Sequence, residues 1–119
     1  MSNHILIEKQ ISKFNKKIFV SSDKSISIRT VLLASQAVGI SKISNLLESE
    51  DVLNTLKTIK KLGINYRKTG NTYIIEGFGL YGFDTQKEIT INAGNSGTLA
   101  RLILGLLVKS KKKVKLIGD

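Results

Sequence analysis

Two short polar segments of this chain carry side chains that could bind an acidic ligand. Both gather small hydroxyl or amide groups with glycine or a cation, and each lies between a β-like run and an apolar, helix-like run. The segments are residues 22–29 and 91–101, and the groups that could bind are Lys24, Ser25 and Arg29 in the first and the turn of residues 94–98 in the second. The free N–H groups and the positive dipole end of a helix N-terminus attract phosphate and carboxylate groups. Two such helix starts predict a site for a multiply charged acid.

An arginine lies four residues after a residue of the polar loop in both segments. Residues four apart share one helix face, so Arg29 is expected beside Ser25, and Arg101 beside Gly97. Apolar residues cover almost the whole circumference of the helix around Arg29, which predicts a helix buried on most sides. A charge there is costly without a partner, so we expect the guanidinium to hold a carboxylate or a phosphate.

Both motifs also have an ordinary structural interpretation. Residues 94–98 could form only a tight turn between a strand and a helix, and Lys24 and Arg29 could be solvated surface charges. The loop is not a Walker A motif, and the Gly-x-Gly-x-x-Gly fingerprint of dinucleotide-binding proteins is absent from the sequence. The absence of cysteine excludes disulfides and thiolate metal sites.

The composition is that of a single basic globular domain. The 119 residues are 41% hydrophobic and 24% charged, and the formal net charge is +10 at pH 7. This charge is compatible with a solubilising surface, with nucleic acid or with a small polyanion. The lysines of residues 109–115 have no interleaved aromatic residues, so we interpret them as a solvated turn and predict no nucleic-acid partner.

No secretory signal or membrane-spanning pattern is visible in the sequence. Residues 1–15 alternate apolar and polar side chains and lack the apolar core of a secretory signal. The most apolar run, residues 99–108, is interrupted by Arg101 and is too short to span a bilayer. We therefore expect a cytoplasmic protein without a membrane partner.

The elements around the polar segments follow from periodicity and turn residues. Strands are predicted at residues 5–11, 17–21, 40–47, 89–91 and 114–117, with a hairpin that turns at residues 69–71. Helices are predicted at residues 26–38, 50–62 and 98–108, the first and third buried on most sides.

Capping residues are predicted at the ends of two of these helices. Ser22 or Asp23 caps the first helix, and Gly39 supplies a left-handed stop. Ser49 caps the second helix, and Gly63 ends it. The second helix has one apolar stripe, formed by Val52, Leu53, Leu56, Ile59 and Leu62.

The chain repeats itself after a shift of 72 residues. The shift places Arg29 on Arg101, so that one strand–loop–helix–strand unit occurs twice. The second copy stops at Asp119, where a further helix begins in the first copy. We expect from this register that the chain is incomplete.

At these residues the chain resembles the 5-enolpyruvylshikimate-3-phosphate synthase family. Residues 23–29, 46–52 and 92–101 are similar to three signatures of that family. The resemblance implies an α/β (α+β) fold of repeated βαβαββ units with buried helices. It also implies a division of the chain: residues 1–21 would pair with another, absent domain, and residues 22–119 would form the first unit and the start of the second.

The resemblance implies transfer of the enolpyruvyl group of phosphoenolpyruvate to the 5-hydroxyl of shikimate 3-phosphate. The products are 5-enolpyruvylshikimate 3-phosphate and phosphate, in the shikimate pathway of chorismate and aromatic amino-acid biosynthesis. Addition is followed by elimination of phosphate, without a metal or an organic cofactor. By the same resemblance, Lys24 contacts both ligands, and Ser25 and Arg29 hold shikimate 3-phosphate.

The second segment carries the remaining implied contacts. Gly97 would lie against phosphoenolpyruvate, in a loop shaped by Asn95 and Thr98. Two departures fall beside the first segment: residues 21–22 are Ser-Ser where the family usually has Pro-Gly, and Ile28 replaces a polar residue. These departures predict a different position for the loop before the first helix.

The family enzyme is much longer than this chain. Its second domain, a further arginine that binds phosphoenolpyruvate and its catalytic carboxylates are expected beyond Asp119. We therefore expect the isolated chain to be inactive and the full-length protein to be a monomer. The alternatives are the sister transferase acting on UDP-N-acetylglucosamine, whose Lys-Asn opening is absent here, a small basic RNA-binding domain, or a degenerate fragment without activity.

Overall fold

The computed structural model describes residues 6, 13, 15 and 19–119. Helices and strands are mixed along this part of the chain. In order they are α1 (Lys24–Gln36), β1 (Val38–Ser44), α2 (Glu50–Lys61), β2 (Tyr66–Thr69), β3 (Thr72–Phe78), β4 (Ile89–Asn92), α3 (Gly97–Leu106) and β5 (Val114–Ile117). This mixture confirms the predicted α/β (α+β) class.

The strands form two separate sheets. β1, β3 and β2 lie in that order in an antiparallel sheet, and β4 pairs with β5 in parallel. α3 connects the two parallel strands, because such strands need a crossover connection. The repeated helices of the predicted unit are present. The strand after α1 nevertheless pairs antiparallel with β3, whereas the strand after α3 pairs parallel with β4.

The core lies between α1, α2 and the inner face of the three-stranded sheet, and it continues under β4 and α3. The side chains that fill it are almost all branched and aliphatic. Those with 0–1% exposure are Ile28, Val31, Val52, Leu56, Ile59, Ile64, Ile75, Ile91, Leu99 and Ile103. Each such side chain stabilises the fold by about 1.5–3 kcal/mol relative to an exposed position.

The prediction of helices buried on most sides holds for α1, where seven of the 13 residues are buried, but is wrong for α3, where only Leu99 and Ile103 are buried. Ile26 and Leu33 on α1 are 62% and 71% exposed, and Leu104 on α3 is 55% exposed. α1 contacts α2, α3, β1 and β3, which leaves one side of the helix facing solvent within the described residues. Apolar periodicity indicated a helix here, but it did not indicate which sides have neighbours.

Gly39, Gly63 and Ser49 were predicted to mark helix ends, and the structure agrees with only some of these predictions. The predicted stop at Gly39 is wrong, because α1 ends at its C-cap Ala37, and Gly39 lies inside β1 with a φ of +87°. Gly63 ends α2 as predicted, with a φ of +97°. Ser49 occupies the predicted cap position of α2, but its hydroxyl makes no capping hydrogen bond.

The hairpin is confirmed, and Gly70 takes a φ of +57° in its turn. β2 and β3 pair on either side of that turn, with Thr69 opposite Thr72. Of the predicted strands at residues 5–11 and 17–21, only residue 6 and residues 19–21 are described, and none of these is assigned to a strand. The other members lie outside the described residues. No helix in the described ranges is long and apolar enough to cross a bilayer.

Candidate functional site

The first polar segment forms the start of α1. Asp23 is the N-cap, and its carboxylate accepts a hydrogen bond of 2.7 Å from the backbone N–H of Ile26. Lys24 is the first residue of the helix, and its Nζ lies 2.8 Å from Oδ2 of Asp51 on α2. This hydrogen bond, together with the charge of Asp51, raises the pKa of Lys24 above its usual value. The lysine therefore presents a positive charge at the helix start.

Arg29 lies about one turn further along α1 and is exposed. It lines a groove between α1 and α3 with the apolar side chains of Leu33 and Leu102. Within the described residues its guanidinium makes no ion pair or hydrogen bond. The expected burial of Arg29 is therefore wrong, because this residue lies on the exposed side of α1. Its contact with a carboxylate or phosphate remains a prediction. Ser25 is partly exposed and makes no hydrogen bond to Arg29.

The second polar segment is a turn that leads from β4 into α3. Oδ1 of Asn92 accepts a hydrogen bond of 2.8 Å from the N–H of Gly94, which has a φ of +55°. The turn ends at Ser96, whose hydroxyl caps α3 by accepting a hydrogen bond of 3.1 Å from the N–H of Leu99. Side chains of this kind commonly fix such turns, because they replace backbone acceptors.

Gly97 begins α3, and the predicted neighbour contact with Arg101 is present. Nε of Arg101 donates a hydrogen bond of 3.0 Å to the carbonyl oxygen of Gly97. A Cβ at Gly97 would lie 3.2 Å from Nη2 of Arg101, so glycine leaves room for the guanidinium. Asn95 is exposed and Thr98 is partly exposed, and neither side chain has a hydrogen-bond partner in the part of the chain that the structure describes.

One face of α2 brings the two polar segments together. Asp51 holds Lys24 at the start of α1, and Asn54 lies one turn later on the same face. A Cβ at Gly94 would lie only 2.8 Å from Nδ2 of Asn54, so the turn before α3 is also in contact with α2. Both segments therefore rest on the first two turns of one helix.

The opposite ends of α1 and α3 are also linked. The N–H of Gly82 donates a hydrogen bond of 2.9 Å to Oε1 of Gln36, the last residue of α1. The next N–H, that of Phe83, donates one of 2.8 Å to the carbonyl oxygen of Leu106, the last residue of α3. The two helices thus run side by side in the same direction, with both N-termini at the same end of the molecule.

Each helix start lies beside its own hollow. Residues 20–23 and 43–46 contribute to the hollow at the start of α1, and residues 93–97 and 116–119 contribute to the hollow at the start of α3. No residue lines both hollows. The two hollows therefore have separate linings within the described part of the chain.

Comparison with known proteins identifies the family. The sequence matches the family described as EPSP synthase (3-phosphoshikimate 1-carboxyvinyltransferase) over residues 8–119. The chain belongs to the EPSP synthase family. A 3-phosphoshikimate 1-carboxyvinyltransferase of Oenococcus oeni is 41% identical over 111 residues, which are 93% of this chain and 25% of that relative. The relative from Bacillus cytotoxicus is 42% identical over 105 residues, covering 88% of this chain and 24% of the relative.

A solved EPSP synthase from Acinetobacter baumannii has the same fold in the matching region. Its TM-score is 0.74 at 31% sequence identity, over 87% of this chain and 24% of that one. These comparisons confirm the predicted family and fold class. The chain spans about a quarter of the length of the curated EPSP synthase relatives that it matches.

The three helices of this EPSP synthase family member differ in how their dipoles are compensated. α2 has Glu50 and Asp51 in its first turn and Lys60 and Lys61 in its last turn. α1 and α3 have no acidic residue in the first turn and no basic residue in the last. Apart from the capping carboxylate of Asp23, the positive ends of α1 and α3 therefore lack a nearby counter-charge from their own helices.

Three residues of the site were not singled out from the sequence. The contact of Asp51 with Lys24 joins residues 27 positions apart, so no local pattern indicates it. Ser96 was read as part of the loop rather than as the cap, although a serine just before an apolar helix is a recognised capping signal. Asn54 carries no local signal. No group of three potential metal ligands occurs among the residues described by the structure.

Proposed function

We propose that this chain supplies part of the substrate site of an enzyme that transfers the enolpyruvyl group of phosphoenolpyruvate to the 5-hydroxyl of shikimate 3-phosphate. Both substrates carry a phosphate and a carboxylate, which are the groups that helix N-termini and cations favour. The observation that carries the proposal is the parallel alignment of α1 and α3, with both starts on one face of α2. Membership of the EPSP synthase family supports the choice of reaction.

The first segment is proposed to bind shikimate 3-phosphate. Ser25 lies in the first turn of α1, and the exposed guanidinium of Arg29 is free to make a bidentate contact with an anionic group. Lys24 has three N–H donors, of which Asp51 occupies one, so the others are available to a ligand. This availability fits a lysine that contacts both substrates.

The second segment is proposed to bind phosphoenolpyruvate. The N–H groups of Gly97 and Thr98 begin α3 and have no acceptor within the described residues. The absence of a side chain on Gly97 allows a ligand to approach this backbone closely. Asn95 stands exposed beside it and, with Thr98, shapes the loop.

The remaining parts of the assignment concern the longer protein. We propose a cytoplasmic monomer at full length, with no metal or organic cofactor and no nucleic-acid or membrane partner. Residues 1–21 are proposed to pair with a second domain, and residues 22–119 to form the first unit and the start of the second. Because the chain spans only about a quarter of its relatives, the catalytic groups are assigned to the rest of such a protein.

An NMR titration of the 119-residue chain tests the proposal. Shikimate 3-phosphate should give saturable shifts at residues 24–29, whereas shikimate without the phosphate should bind much more weakly. Phosphoenolpyruvate should shift residues 95–98. Lys24→Ala should weaken binding of shikimate 3-phosphate, and Lys57→Ala, which removes an exposed lysine from α2, serves as the matched control.

The opposite results would overturn the assignment. Shifts confined to the lysines of residues 109–115, equal for inorganic phosphate and shikimate 3-phosphate, would indicate non-specific anion binding. RNA affinity with a steep salt dependence and no response to shikimate 3-phosphate would favour the RNA-binding alternative. A phosphate-release assay with both substrates should detect no turnover by the isolated chain, and measurable turnover would contradict the assignment of the catalytic groups elsewhere.

A further inference from the structure

We propose that Asp51 is a positioning residue that fixes the ammonium group of Lys24 for an anionic ligand. The inference rests on the proposed role of Lys24 in substrate binding. Asp51 is an acidic residue beside a site for negatively charged ligands. Electrostatic repulsion alone would therefore make its removal strengthen ligand binding, whereas a positioning role makes its removal weaken binding.

The burial of the two partners shows which of them is fixed. The side chain of Lys24 is 52% exposed, whereas that of Asp51 is only 13% exposed. Asp51 belongs to the first turn of α2, a helix held in the core by Val52 and Leu56, which are 0% and 1% exposed. The carboxylate is therefore the anchor, and the lysine is the flexible partner that the anchor holds.

The contact with Asp51 restricts the conformational freedom of the Lys24 side chain. Its side chain has four rotatable bonds and loses about 2 kcal/mol of rotamer freedom when it is fully fixed. Lys24 is protonated at neutral pH with or without Asp51, because its ordinary pKa is 10.5 and the neighbouring carboxylate raises it further. What Asp51 supplies at neutral pH is therefore the location of the charge rather than the charge itself.

α2 contacts both polar segments, so the Lys24–Asp51 ion pair lies close to the start of α3 as well. Asp51 and Asn54 occupy one face of the helix, and the second polar segment touches Asn54 at Gly94. An ammonium held against Asp51 is thereby held on the same helix face that supports the start of α3. Without Asp51, the ammonium group of Lys24 would occupy many positions in the solvent beside α1.

The sign of one substitution separates positioning from electrostatics. Asp51→Asn removes a negative charge near the proposed ligand, so electrostatics alone predicts tighter binding of an anion. Positioning predicts weaker binding, by about three- to tenfold, which is the range expected when one long side chain must be ordered on binding. Glu50→Gln is the matched control, because it removes the same charge from the same helical turn, where Glu50 makes no ion pair within the described residues.

The experiment measures the affinity of the whole chain for shikimate 3-phosphate by NMR at constant ionic strength. The pKa of Lys24 is followed in parallel through its Cε signal, and circular dichroism checks that each variant is folded. Asp51→Asn should lower both the affinity and the pKa of Lys24, while Glu50→Gln should leave the affinity within about twofold of the unsubstituted chain. Asp51→Glu, which retains the carboxylate, should recover part of the affinity, and it serves as the test variant if Asp51→Asn does not fold.

The outcomes distinguish this inference from the function on which it rests. A chain that does not respond to shikimate 3-phosphate overturns the proposed function and this inference with it. Binding by the unsubstituted chain together with equal or tighter binding by folded Asp51→Asn overturns the inference alone. Equal loss of affinity in Glu50→Gln and Asp51→Asn also overturns it, because that result assigns the effect to the overall charge of the helix start.

Discussion

Replacing Gly82 by alanine should separate the carboxyl ends of α1 and α3. Gly82 has a φ of +69°, which costs an alanine about 1–2 kcal/mol. The added Cβ would lie 2.6 Å from the carbonyl oxygen of Leu106, a backbone atom that cannot rotate away. The displacement would break the hydrogen bonds from the N–H groups of Gly82 and Phe83 to α1 and α3, each worth about 0.5–1.5 kcal/mol. The expected loss of unfolding free energy is about 3 kcal/mol.

Urea denaturation of the whole chain, followed by circular dichroism, measures this loss. Gly70→Ala is the control, because Gly70 has a φ of +57° but has no atom within 4 Å of an added Cβ. The control should lose only the conformational cost, about 1–2 kcal/mol. The reasoning about the linked helix ends fails if the two variants lose the same free energy of unfolding.

Three further predictions concern capping, the core and alkaline pH. Ser96→Ala should lower the free energy of unfolding by about 1 kcal/mol because it removes the cap of α3. Ser49→Ala should be neutral or stabilising, since the buried Ser49 hydroxyl has no partner in the described chain. Urea denaturation compares the two variants, and a larger loss for Ser49→Ala would contradict the assignment. In the same assay, Ile28→Ala should lower the free energy of unfolding by about 2–5 kcal/mol, and Leu33→Ala should lower it by less than about 1 kcal/mol. The difference is expected because the Ile28 side chain is 0% exposed and that of Leu33 is 71% exposed. Similar losses for the two variants would contradict this burial. Burial and a hydrogen bond to a carboxylate raise the pKa of Tyr73 from 10.0 to about 12 in the folded protein. The stabilisation that comes from the neutral Tyr73 side chain is therefore complete below pH 10 and is lost as the pH rises towards 12. Tyr73→Phe should reduce the fall of the melting temperature between pH 10 and 12, and an unchanged fall would refute this prediction.

Local signals in the sequence were sufficient for several elements. The one-sided apolar stripe of α2 predicted a helix with a single buried face, and Gly63 marked its end. The hairpin followed from Gly70 between two β-like runs. These features depend on neighbours in sequence, so a pattern of a few residues contains the necessary information.

Features that depend on distant neighbours were not predictable in the same way. α1 is apolar on nearly all sides, so its sequence could not indicate that Ile26 and Leu33 would face solvent. Gly39 has the positive φ expected of a helix stop, but strand pairing with Gly77 places it inside β1. The contact of Lys24 with Asp51 depends on how two helices pack, which neither segment reveals by itself.

The side-by-side arrangement of α1 and α3 implies an energetic cost in the empty protein. Two macrodipoles that point the same way place like poles next to each other, and these poles repel. An anion bound at either positive pole would remove part of that repulsion, in addition to the contacts it makes with individual side chains. Ligand occupancy and folding would then be linked, so that the melting temperature would rise with the concentration of a bound phosphorylated acid.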